Sequence, residues 1–120
     1  MGLDNIIYER RGVNDSDLAE ALAPMTTGIM VDGTNSFRGK VYAGWLEGIT
    51  SYSLYESDDW GDMEFKDIID SLKTYKNSFD KIDDLKAELE IQYLNLDVLD
   101  AFIKVFELCL ERGWKINAWY

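Results

Sequence analysis

Residues 97–112, DVLDAFIKVFELCLER, constrain this chain more than any other stretch. The polar residues Asp97, Asp100, Lys104, Glu107, Glu111 and Arg112 recur mostly at three- and four-residue steps, which makes one narrow stripe on a helix. Everything between them is apolar: Val98, Leu99, Ala101, Phe102, Ile103, Val105, Phe106, Leu108, Cys109 and Leu110. A helix apolar around most of its circumference must be covered on several sides, so the fold is expected to assemble around it. Gly113 is placed to end the helix as its C′ residue, with Arg112 in the last turn.

At 120 residues the chain reads as a single domain, 1–120, long enough to bury about two thirds of its unfolded surface. A hydrophobic content of 47% argues against disorder. One cysteine, Cys109, permits no internal disulfide and suits a reducing compartment. On the core helix it reads as a small buried hydrophobe. No basic region leads into an apolar run, and no apolar run approaches the length of a membrane span. A cytoplasmic protein with no membrane association is therefore expected.

Short elements precede the core helix. Leu3 to Glu9 reads as a strand, and Asn14-Asp15-Ser16 as the start of a short helix, Leu18 to Ala23, closed by Pro24. Gly28 to Val31 has the pattern of a second strand. Asn35 or Ser36 is placed to cap a helix that carries Val41, Tyr42, Trp45 and Leu46 on one face and ends at Gly48. Glu56 to Asp62 reads as a polar loop, and Glu64 to Phe79 as an amphipathic helix on Phe65, Ile68, Ile69, Leu72, Tyr75 and Phe79. Residues 80–93 fit both periods, with helix favoured over strand. Trp114 to Tyr120 alternates as a terminal strand. The expected fold class is α+β: three or four helices around the central apolar helix 97–112, packed on a small sheet of short strands. The alternative is an all-α bundle with a token hairpin.

The chain contains no histidine. That removes Ser–His and Cys–His nucleophile pairs, imidazole metal ligands and the usual proton shuttle at neutral pH. With one cysteine besides, the common structural zinc sites are excluded. A non-enzymatic protein without cofactors is expected. The net charge of −11 disfavours direct contact with nucleic acid, whose phosphates need Lys and Arg. Most of the excess, −9, falls in residues 56–100.

Against that background the segment Asp32 to Lys40 stands out as cationic. It combines Gly33, Asn35, Ser36, Gly39, Arg38 and Lys40 with an expected helix start, which suits an anion. It is not a phosphate-binding P-loop, because Thr34 replaces the first glycine and Val41 the magnesium-binding hydroxyl. The expected ligand-binding residues are Ser36, Phe37, Arg38, Gly39, Lys40 and Tyr42, with Arg10 and Arg11 joining only if the first strand lies alongside.

The acidic block offers a second site. Glu56, Asp58, Gly61, Asp62, Glu64 and Asp67 approach the spacing of a calcium-binding loop, but Trp60 stands at its fifth position and the first and last acids are atypical, so no metal is expected. Carboxylates spaced like phosphates can instead occupy the basic groove of a nucleic-acid-binding protein. For that reading Asp58, Asp59, Trp60 and Asp62 are the partner-binding residues. Trp60 and Trp119 are the aromatics expected at the surface.

Ser36-Phe37-Arg38-Gly39-Lys40-Val41-Tyr42, followed by Ser53-Leu54-Tyr55, resembles an SFRGKxY…SLY pattern of small uncharacterised bacteriophage and prophage proteins. The resemblance implies a phage-type binding protein that counteracts host machinery or defence. The leading expectation is a small anionic, nucleotide-like ligand or an acidic partner group at residues 36–40. The alternative is an acidic decoy, formed by residues 56–100, for a host protein.

Overall fold

A computed structural model describes residues 3–9, 15–25, 35–77 and 96–119. The chain is α+β, as expected. Strand β1 (Asp4–Tyr8) leads to helix α1 (Ser16–Leu22). Strand β2 (Ser36–Phe37), a 3-10 turn (Gly39–Val41) and helix α2 (Ala43–Thr50) follow. Next come a second 3-10 segment (Leu54–Asp59) and helix α3 (Asp62–Asn77). Helix α4 (Leu96–Arg112) and strand β3 (Lys115–Trp119) complete the described elements.

Helix α4 is the centre of the molecule. Nine of its residues, Val98, Leu99, Ala101, Phe102, Ile103, Val105, Phe106, Leu108 and Cys109, are buried. Fully burying a Leu, Ile or Phe contributes roughly 1.5–3 kcal/mol, so this one helix supplies a large share of the core. The polar stripe emerges where it was expected, with Asp97, Asp100, Lys104 and Glu111 exposed. Gly113 adopts φ +71° and the Trp114 N–H donates to the Cys109 carbonyl at 3.0 Å. That is the 6→1 bond of a Schellman motif, which turns the chain directly into β3. Helix α3 covers one side of α4 with Phe65, Ile68, Ile69 and Leu72, and α1 covers another with Leu18 and Leu22.

The sheet covers the remainder. Its order is β2-β1-β3, antiparallel throughout, with Asn5 opposite Phe37 and Ala118, and Ile7 opposite Ile116. Ile7, Phe37 and Ile116 are fully buried, and Phe37 meets Phe102 of α4 edge-on at 5.3 Å. An aromatic cluster runs on from there: Tyr42 and Trp45 stand edge-on to Phe102 at 5.0 and 5.5 Å, and Trp60 to Phe106 at 5.7 Å.

Three local expectations need correction. Strand β2 is Ser36–Phe37, while residues 28–31, expected to form a strand, lie outside the described residues. Ser36 is therefore paired in the sheet and caps no helix. Residues 39–48 do not make one helix. Gly39–Val41 winds as a 3-10 turn, and α2 runs through Gly48 to Thr50, ending where Ser51 takes the left-handed φ of 67°. Residues 56–62 are not an open loop, since 3-10 turns lead to within two residues of α3. Residues 80–93 also lie outside the described residues. Among the described residues, no helix is long and apolar enough to cross a membrane.

Candidate functional site

The segment 36–40 is built into the sheet and the core. Phe37 and Tyr42 are buried rings of the aromatic cluster. Gly39 is buried because it passes Asn5: a Cβ there would stand 1.8 Å from Asn5 Oδ1. Asn5 has no room to withdraw, since its Nδ2 donates to the Leu54 carbonyl at 2.9 Å and to Ser57 Oγ at 3.0 Å. The glycine thus serves a close approach between β1 and the turn.

The backbone donors of an anion cradle are also engaged internally. Lys40 N–H donates to the Leu3 carbonyl, Val41 N–H to Arg38 and Tyr42 N–H to Gly39. Of the six expected ligand residues, Lys40 is exposed, Arg38 is half-buried, and Ser36, Phe37, Gly39 and Tyr42 are buried. Two of them keep polar atoms that are sealed from water and without a partner: Ser36 Oγ and Arg38 Nη1. Arg10 and Arg11 lie outside the described residues.

The acidic stretch divides by structure. Asp58 is a structural strap: its Oδ1 accepts from Asn117 Nδ2 at 3.0 Å and from the Ala118 N–H at 3.3 Å. This shields the outer edge of β3 where an unpaired N–H would otherwise face solvent. Asp67 accepts from the Tyr52 hydroxyl at 3.0 Å, and this bond raises the Tyr52 pKa. Glu64 accepts the Gly61 N–H at 3.3 Å at the start of α3, where a carboxylate also suits the helix dipole. Asp100 pairs with Lys76 at 2.6 Å and Glu107 with Lys73 at 3.3 Å. Glu56, Asp59 and Asp62 remain exposed, with no Lys or Arg at ion-pair distance among the described residues. The turn followed directly by helix also leaves no room for a twelve-residue calcium loop.

The two tryptophans expected at the surface part company. Trp60 is only 4% exposed, wedged edge-on between Phe65 and Phe106 at 5.8 and 5.7 Å, so it cannot touch a partner. Trp119 is 48% exposed, one residue beyond the Ala118 amide that Asp58 binds. Tyr55, in the same 3-10 segment as Asp58, is also exposed. Asn117 carries no signal of its own in the sequence. Its association with the acids depends on the Asp58 strap, which joins positions about half the chain apart and leaves no local signal.

Comparison with known protein families, curated proteins and solved structures gives no match to this chain.

Proposed function

We propose that the chain is a non-enzymatic binding protein that presents an acidic, aromatic-edged face to a basic protein partner. The face consists of the 3-10 segment 54–59, the start of α3 and the end of β3. One observation carries the reading: Glu56, Asp59 and Asp62 are solvated, lie close together along the chain and have no cation beside them among the described residues, whereas Asp15, Asp17, Asp100 and Glu107 are each ion-paired. Exposed Trp119 and Tyr55 border the same turn and suit Lys and Arg side chains, which favour aromatic faces. Unpaired carboxylates steer a basic surface over a long range at low desolvation cost. A groove that binds nucleic acid has that surface, and a phage-type inhibitor occupying it would exclude the nucleic acid.

The test is capture of nucleic-acid-binding proteins on the immobilised chain, followed by elution with duplex DNA. DNA should release the captured partner, and the variant Glu56→Lys/Asp59→Lys/Asp62→Lys should capture none. Asp58 is left intact because reversing it would also release β3. Capture that resists DNA and survives the triple reversal would refute the proposal.

A further inference from the structure

We propose that Ser36 and Arg38 form a binding site for an oxyanion of the phosphate class. Phe37 points into the core against Phe102, so its neighbours in the extended chain, Ser36 and Arg38, turn to the other face of the sheet. Ser36 is 2% exposed, and its hydroxyl has no hydrogen-bond partner. Arg38 Nη1 is equally sealed and equally without one. More than about nine in ten buried polar groups in folded proteins are paired, so two orphans two residues apart on one face call for a cause. Both are donors, and a guanidinium can only donate. An anion with several oxygens accepts from both at once, and an ionised acceptor makes a stronger bond to a guanidinium than a neutral one does.

The surroundings fit that chemistry. Arg38 is only half-buried, so part of its side chain reaches solvent. Lys40, two residues on, is exposed and adds a second positive charge to the segment. The strand register, extended one step past the Asn5–Phe37 pair, sets Asp4 across from Arg38. Asp4 has an interaction of its own, and its carboxylate limits how tightly the site holds an anion. The site takes in only part of the SFRGK segment: Phe37 and Gly39 serve the fold. It lies on the sheet, apart from the acidic face, and stands or falls independently of it.

The test is thermal unfolding of the full chain in sodium phosphate against sodium chloride at equal ionic strength, repeated with AMP. The expected result is a saturable rise in Tm with phosphate beyond that with chloride, lost in both Ser36→Ala and Arg38→Gln. A similar rise with AMP identifies the phosphate group alone as the ligand. A larger rise with AMP identifies a nucleotide. Should Arg38→Gln fail to fold, Ser36→Ala decides alone, because it removes a single oxygen that has no hydrogen-bond partner. Equal stabilisation by phosphate and chloride, or a phosphate increment that Ser36→Ala retains in full, would overturn the proposal.

Discussion

Gly39 shows what a single atom does in this fold. A methyl group there would collide with Asn5 Oδ1, and Asn5 is anchored by two hydrogen bonds to the 54–59 segment. Gly39→Ala should therefore cost about 2 kcal/mol or more in urea denaturation, a strain well above the small gain alanine brings to flexible positions. Ser51 is the converse case, a side chain held at φ 67° where glycine is at ease. Ser51→Gly should raise stability by up to about 1 kcal/mol in the same assay. Cys109 sets an alkaline limit. Burial pushes its thiol from 9.0 up to about 12. Between those values the unfolded chain loses a proton that the folded chain keeps. Stability should be unaffected by this thiol below pH 9 and fall by up to about 1.4 kcal/mol per pH unit above it. Denaturation at pH 8 and pH 10 should show the fall in the wild type and a smaller one in Cys109→Ala. The burial of Cys109 was legible from its place on an apolar helix. The need for Gly39 was not, because Asn5, which it must pass, is remote in sequence.

At the scale of elements, periodicity succeeded wherever a helix had enough turns to display it. Helix α3 starts within two residues of the expected position, and α4 ends at the expected Arg112. Strand β2 escaped because it is two residues long, too short for alternation, and is defined by its pairing with β1. Trp60 was misplaced because it sits among acids in sequence, while its extended backbone, φ −77° and ψ 124°, turns the ring inward between Phe65 and Phe106. The sequence also gave no sign of how α1 is held. Arg112, in the last turn of α4, binds Asp15 at 2.6 Å and Asp17 at 2.8 Å, and its guanidinium lies 5.2 Å from the Trp114 ring centroid. Asp15 is at once the N-cap of α1, accepting from the Asp17 and Leu18 amides. One guanidinium thus ties the start of α1 to the end of α4, and the pairing with Asp17 raises the arginine pKa. Arg112→Ala should speed amide exchange across residues 16–22 while leaving α3 protected. Arg112→Lys should restore little, because an ammonium cannot reproduce the fork.

Over the whole molecule, the fold and the site were legible to different degrees. The α+β class followed from one helix too apolar to stand alone, combined with short alternating segments at both ends. The candidate site was legible as composition but not as geometry. Residues 36–40 stood out as cationic, yet Phe37 packs in the core and Gly39 serves a close approach to Asn5. Residues 56–62 stood out as acidic, yet Asp58 holds a strand edge and Trp60 is buried. Which carboxylates are left for a partner depends on tertiary neighbours that no local pattern records. With a net charge of −11, unpaired acids gathered beside exposed Trp119 and Tyr55 make a surface for a basic protein, and such binding should weaken steeply with salt. The most direct measurement is the affinity for a DNA-displaceable partner, titrated against sodium chloride for the wild type, Ser36→Ala and Glu56→Lys/Asp59→Lys/Asp62→Lys. The account requires a steep loss with salt in the wild type, an unchanged curve for Ser36→Ala, and no binding by the triple variant. A flat salt dependence with the triple variant still bound would contradict it.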